Sequence, residues 1–305
     1  MYELDDFGGV FLTTGATVTQ GRTVPAVSAY VEWFKPARRR SGSITVVHGG
    51  GGQSSEFLRT PDDRPGWVHA FLRAGYAVYL LDRPGHGRNH WNGAVLGPAS
   101  APADYETLVP RFVEPARHML WPEAAEHRQW PSESRGATDR FMASQGPMAT
   151  RLAASQAHVE AIAPALFDFV GDTVLLTHSA GGPCGWALSA CGGPRVKAIV
   201  AVEPLGAPGF EHAHGRFDNG LCAAEFAGPH NPYAPPIAIV TAEASWMRQM
   251  NFQAADYLRS RGARLTHLDL PALGVTGNGH MMMSELNSDI IADVVVGWLD
   301  QHVRT

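Results

Sequence analysis

Charge is scarce in this chain, and cysteine is scarcer. Only 17% of the 305 residues are Asp, Glu, Lys or Arg, and the net charge is −5. The one basic run, Arg38-Arg39-Arg40, lies between Pro36 and Gly42 and reads as a solvated turn. Without a basic face or stripe, nucleic acid is not expected as a partner. Three cysteines, Cys184, Cys191 and Cys222, cannot form a paired framework. Cys184 and Cys191 fall about two turns apart on one predicted helix, too far to bridge. There is no C-x-x-C, so a reduced compartment is expected. The N-terminal MYELDDFGG has neither the basic nor the apolar region of a signal peptide, which points to a cytoplasmic protein. No apolar run is long enough to span a bilayer, so no membrane partner is expected. No internal repeat is present.

What is present is core-forming. A hydrophobic share of 45% suits one α/β domain over residues 1–305, and a homodimer is compatible with it. Short apolar runs at 43–47, 76–81, 173–176, 195–202, 237–241 and 264–270 read as buried strands. Earlier strands are expected at 10–12 and 26–34. Helical patterns fall at 67–74, 149–169, 252–261 and 287–303. In 149–169 the candidate buried positions are Leu152, Val159, Ile162, Leu166 and Phe169, with a kink expected at Pro164. Strand, helix, strand at this spacing is a parallel crossover.

Two stretches break the pattern. Residues 89–148 are rich in proline, with Trp91, Trp121 and Trp130 scattered between. So long an excursion in a compact domain reads as a lid or cap. Its tryptophans either stack on a substrate or pack the lid; Trp91 is the substrate-lining candidate. Residues 206–236 form a second loop excursion, placed over the site. His212, His214 and His230 fall in it or beside it without metal-ligand spacing, so no metal is expected.

The chemistry centres on TVLLTHSAGG, residues 173–182. An apolar strand runs into a small-residue turn around Ser179, and a helix follows. That is the context of a nucleophile elbow, in which the hydroxyl stands above the sheet and the next N–H, of Ala180, faces the same space. Thr177 occupies the first position, where the G-x-S-x-G pattern has glycine. Ser179 as a simple helix N-cap is the competing reading. A second glycine-rich stretch, His48-Gly49-Gly50-Gly51-Gly52, follows the 43–47 strand. A phosphate cradle would need a P-loop lysine or G-x-G-x-x-G. An oxyanion loop of the HGGG type fits instead, with Gly50 or Gly51 as donor, glycine allowing close approach and positive φ. His48 is expected to brace the loop.

Along the predicted strand ends lie, in order, the glycine loop, Asp82, Ser179, Glu203, Glu243 and His280. In open parallel sheets the site lies beyond the carboxyl ends of the strands. A serine needs a neighbouring base, and the base needs a carboxylate to fix its tautomer. His280, on a glycine-flanked turn, is the base candidate. Glu203, rigidly followed by proline, is favoured as the acid over Glu243. Asp82 is expected to shape its turn by pairing with Arg83 or Arg88.

At VVHGGGG, LLDRPGHGR, LLTHSAGG, VEP and GNGH the chain resembles the α/β-hydrolase superfamily over most of its length. The VEP placement is similar to a bacterial esterase subgroup whose acid follows the strand after the elbow. The resemblance implies a mostly parallel central sheet flanked by helices, with a loop-rich lid or cap insertion. It implies a serine esterase or lactonase, free of cofactor, acting through an acyl-enzyme with Ser179, His280 and Glu203. Thioesterase, amidase or C–C hydrolase chemistry uses the same triad and stays open. So does a non-catalytic binding protein on the same fold. His178, Trp91 and Met281 are the substrate-lining candidates.

Overall fold

The computed structural model describes residues 2–39, 42–208 and 228–303. His212, His214 and Cys222, and most of the second excursion, lie outside the described residues. Among the described residues, eight strands form one sheet. They are β1 (Leu4–Thr13), β4 (Ser28–Pro36), β5 (Ser43–Val47), β6 (Ala77–Asp82), β7 (Thr173–His178), β8 (Val196–Val202), β9 (Ile237–Thr241) and β10 (Leu265–Asp269). Between β1 and β4 a small antiparallel ribbon pairs β2 (Ala16–Thr19) with β3 (Arg22–Pro25). The main sheet runs β1-β4-β6-β5-β7-β8-β9-β10, antiparallel across β1, β4 and β6 and parallel from there on.

The parallel strands β5 to β9 are buried almost throughout because helices cover both faces, whereas the edge strand β10 carries Thr266, His267 and Asp269 and is half-buried. The helices are, in order, α1 (Trp67–Arg73), the short α2 (Gly93–Leu96), α3 (Tyr105–Leu108) and α4 (Pro115–His118), then α5 (Ala137–Ser144), α6 (Leu152–Val170), α7 (Gly181–Gly192), α8 (Arg248–Ser260) and α9 (Ser288–His302). Val46, Leu80, Leu176 and Val200 point to one face and pack with Trp67, Phe71, Ile291 and Leu299 of α1 and α9. Val47, Leu81, Leu175 and Ile199 point to the other and pack with Ile162, Leu166, Trp186 and Leu258 of α6, α7 and α8. The alternation is the strand period of two expressed in three layers.

Within α6, Val159, Ile162 and Leu166 are buried as the periodicity requires. Phe169 is not: it is 38% exposed and leans edge-on against Trp33 and Tyr79 at the rim. Pro164 lies inside the helix, which continues through it to Val170. The side chain of Leu152 lies outside the described residues.

Gly185 on α7 supplies what Thr177 on β7 takes up. A Cβ at Gly185 would stand 2.4 Å from Thr177 Cγ2, so the helix approaches the strand only because this position is glycine. Gly185→Ala should therefore lower stability despite alanine's better helix propensity. Overpacking of this kind costs on the order of 1–3 kcal/mol. Thr177→Ala combined with Gly185→Ala should recover most of the loss. Thermal melts of the four members of the cycle measure the coupling.

Candidate active site

The strand ends converge on one edge of the sheet. Ser179 follows β7 with φ of 53°, a left-handed conformation costly for any residue but glycine. Neighbouring chain fixes it there. Ser179 N–H donates to Val202 O at 3.0 Å, and Ser179 O accepts from Leu205 N at 3.0 Å and Gly182 N at 2.9 Å. A Cβ on Gly181 would lie 2.5 Å from His48 O, so α7 starts directly on the end of β5. Glu203, the first residue past β8, is also left-handed with φ of 47°, and its N–H donates to Val240 O at 3.0 Å. The two strained residues are thus tied to each other's turns.

Glu203 is fully buried. Its Oε1 accepts from Ala242 N at 2.6 Å, and its Oε2 accepts from the Ser245 hydroxyl. Oε2 also lies 3.4 Å from His280 Nδ1. The His280 ring is packed between Phe112 (centroids 5.2 Å apart), His178 (4.7 Å) and Trp246 (5.6 Å). Among the described residues its Nε2 has no hydrogen-bond partner. Burial pushes His280 down to about 3, opposed by the charge of Glu285. Burial pushes Glu203 up to about 8, opposed by Ser245 and Ala242. Both shifts express one desolvation: the pair prefers to be uncharged, which leaves the imidazole neutral.

Glu243 does not reach His280. Its Oε2 accepts from Gly277 N at 2.7 Å, at the start of the His280 turn. Glu285, which sequence reasoning missed, holds the other half of that turn. It is fully buried and accepts from Gly279 N at 2.9 Å, Asn278 Nδ2 at 2.7 Å and His127 Nε2 at 2.8 Å. Only its position five residues after His280 hinted at it.

Three of the four glycines, Gly49, Gly51 and Gly52, serve close approach, whereas a Cβ at Gly50 would make only an ordinary contact with Met148 at 3.5 Å. None of the four has a positive φ, contrary to the expectation from sequence. A Cβ at Gly49 would lie 3.1 Å from Ser179 Cβ, one at Gly51 2.2 Å from Gly146 O, and one at Gly52 2.6 Å from Glu56 Oε2. Arg83, which is 1% exposed, orients the loop. Its Nη2 donates to Gly49 O at 2.6 Å and Gly50 O at 2.8 Å. In a trans peptide the N–H points opposite to the C=O. Holding those two carbonyls therefore turns the N–H groups of Gly50 and Gly51 away from Arg83. His48 completes the brace: its Nδ1 donates to Gly49 O at 2.9 Å and its Nε2 accepts from Arg83 N at 3.2 Å. Of the two partners expected for Asp82, Arg88 is found and Arg83 is not: Asp82 accepts from the N–H groups of Ser54 (2.9 Å) and Arg88 (3.0 Å), and Arg88 Nη1 lies 3.9 Å from its Oδ2.

These parts line one cavity of about 390 Å³, with Gly50, Gly51, His178, Ser179, His280 and Met281 on its wall. The 89–148 excursion supplies much of the rest through Leu108, Phe112, Phe141, Gly146 and Met148. Trp91 is not on the wall, which corrects its expected role. Its Nε1 donates to Gly97 O at 3.1 Å, and its ring fills the space beside Gly85. Trp121 and Trp130 likewise fasten the excursion, to Ala244 O at 3.1 Å and against Phe141. The described flanks of the second excursion lie along α7, where His230 N–H donates to Ala190 O at 3.1 Å.

Strand order, elbow and cavity together define an α/β-hydrolase. The chain belongs to the lipase and esterase family of serine ester hydrolases on that fold. It is 33% identical over 316 aligned positions to a probable secreted lipase, phiG, of a fungal species (strain ATCC 74256), covering 89% of this chain and 85% of that one. A solved structure of a novel bacterial esterase superposes with a TM-score of 0.72 at 25% identity, covering 100% of this chain and 98% of the other. Carboxyl esterase 2 from the mycorrhizal fungus Tuber melanosporum shares the fold at 14% identity and a TM-score of 0.55, covering 98% and 87%. No family model matches the sequence.

The secreted relative overturns the cytoplasmic expectation. That expectation rested on MYELDDFGG lacking a signal-peptide pattern, and the reduced compartment on cysteines without a paired framework; the two described thiols do not need a reducing compartment. Cys184 is fully buried, and burial raises both it and Cys191, the latter to about 11, which disfavours the reactive thiolate.

Arg83→Met should leave the Gly49 and Gly50 carbonyls without their shared donor. Removing an oxyanion donor outright costs about 100- to 1,000-fold in kcat. Loosening the loop should cost roughly 10- to 100-fold in kcat, with a smaller effect on KM. Steady-state kinetics on protein verified as folded by near-UV circular dichroism checks this.

Proposed function

We propose that this ester hydrolase works through an acyl-enzyme in which Ser179 is the nucleophile, His280 the base and Glu203 the acid. The observation that carries the reading is the buried Glu203–His280 contact at 3.4 Å, with the histidine on the same cavity wall as the strained serine. Nδ1–H of His280 donates to Glu203, which leaves the Nε2 lone pair free. Rotation of the Ser179 side chain brings its hydroxyl to that lone pair. The oxygen attacks the ester carbonyl as Nε2 takes its proton. Negative charge gathers on the carbonyl oxygen, facing the N–H of Ala180 and those of Gly50 and Gly51. The imidazolium then protonates the departing alcohol, and water resolves the acyl-enzyme by the same route. Glu243 holds the turn and takes no part in proton transfer. A carboxylic ester or lactone is the substrate class, and the 89–148 excursion acts as a cap that shapes the binding space.

A fluorophosphonate probe should label the protein, and Ser179→Ala should abolish both labelling and activity. Glu203→Gln should lower kcat on p-nitrophenyl esters by about 1,000-fold or more, since the tautomer is no longer fixed. Glu243→Gln should cost far less. A larger loss in Glu243→Gln than in Glu203→Gln would reverse the assignment.

The pH profile follows from the same burial. His280 must be neutral to accept the proton, and burial lowers it to about 3. Activity should therefore persist below the usual histidine midpoint of about 6.5 and fall only as pH drops toward the lowered value. An acid limb of kcat/KM centred at 6.5 or above contradicts this.

A further inference from the structure

The catalytic cavity holds a carboxyl group that the ester-cleaving steps do not use. Glu56 follows the glycine loop, on the short turn Ser54–Phe57, and is 8% exposed. Its Oε1 accepts from Gln145 Nε2 at 2.6 Å and from Ser144 Oγ at 3.5 Å. Oε2 accepts no hydrogen bond among the described residues, and Glu56 is part of the cavity wall. Gly52, whose missing Cβ leaves room for Oε2, is two residues beyond Gly50, at most about 7.6 Å away along the Cα trace. The free oxygen is thus within reach of one arm of an ester whose carbonyl lies at the glycine loop.

Among the described residues, the carboxyl groups on the cavity wall face no Lys or Arg there. Asp104 also lines the cavity, its carboxyl held low by its hydrogen bond with Thr107. Arg83 acts on Glu56 only from behind the loop, where Asp82 opposes it. The rest of the wall is largely apolar, with two aromatic rings, Phe112 and Phe141. A buried carboxyl with one open acceptor, a second carboxylate and two aromatic rings on the same wall suit a cation. They disfavour a carboxylate.

Resting on the ester-hydrolase reading of this cavity, we propose that Glu56 recognises an ammonium group carried on the acyl or alcohol arm of the substrate ester. Its Oε1 stays on Gln145 and Ser144, and Oε2 meets the cation. Burial, opposed by the Gln145 and Ser144 hydrogen bonds, pushes Glu56 up to about 7, and a bound cation favours its ionised form.

The test compares matched esters within each protein. One pair is p-nitrophenyl 6-aminohexanoate against p-nitrophenyl heptanoate, with p-nitrophenyl 6-hydroxyhexanoate as a neutral hydrogen-bonding control. The other is choline butyrate against 3,3-dimethylbutyl butyrate. The wild type should favour the ammonium member of at least one pair by about tenfold or more in kcat/KM, the scale of one hydrogen bond to a charged group. In Glu56→Gln that ratio should fall toward one, whatever the absolute rates, and in Glu56→Asp part of it should remain. A wild-type ratio near one in both pairs, a ratio unchanged in Glu56→Gln, or equal preference for the hydroxyl ester overturns the inference.

Should Glu56→Gln not fold, competitive inhibition of the wild type decides. n-Hexylammonium should bind at least about tenfold more tightly than n-hexanol, and equal inhibition constants overturn the inference. If neutral esters are cleaved without ammonium preference, only this inference falls. If no ester is cleaved and no phosphonate label forms, the reaction itself has been misread, and this inference falls with it.

Discussion

The architecture turns on a serine held in the left-handed region between two parallel strands. No isolated chain would keep Ser179 at φ of 53°. It is kept there because β7 and α7 are clamped from both sides. On one side Gly181 rests on the end of β5; on the other, Ser179 trades backbone hydrogen bonds with Val202 and Leu205. The same clamp fixes Glu203, which lies between those two residues and is itself strained. The proposed nucleophile and a carboxylate twenty-four residues apart are thus positioned by one piece of backbone, and the His280 turn has only to be brought to them.

Burial sets the electrostatics. Around His280, rings from three elements exclude water, and the one carboxylate it touches has its remaining capacity taken up by Ala242 and Ser245. Burial thus favours a neutral imidazole, the form the proposed base role requires. The glycine loop follows a related logic. Arg83 neither lines the cavity nor touches the His280 ring; it spends its donors on carbonyls, and the amides opposite them turn outward. Glu56 is different in kind, since among the described residues one of its two oxygens accepts no hydrogen bond, and it lines the same cavity as Ser179 and His280.

The parallel strands were legible because they are short, largely apolar runs that soon meet a polar residue, glycine or proline, and strands 43–47 and 237–241 fall where the sequence puts them. The cluster of chemical residues at the strand ends was legible for the same reason: a parallel sheet sends its carboxyl ends one way. Thr177 looked like a defect in the elbow, since the compensating Gly185 is eight residues on and belongs to a helix face. Arg83 could be read only as a partner for Asp82, because main-chain carbonyls thirty-odd residues away leave no mark in sequence. Glu285 and Glu56 carry no motif, and their roles arise from a turn and a cavity that exist only after folding. Trp91 misled in the opposite sense: an aromatic in a proline-rich excursion suggests a substrate platform, whereas here it fills the space Gly85 leaves.

The most direct measurement is a crystal structure of the protein inactivated by a fluorophosphonate. The account predicts a covalent bond from phosphorus to Ser179 Oγ. It also predicts the phosphoryl oxygen within hydrogen-bond distance of the Ala180 N–H and of Gly50 or Gly51, with His280 Nδ1 still on Glu203. A phosphoryl oxygen turned away from the glycine loop, or a His280 ring paired with Glu243 in place of Glu203, would contradict it.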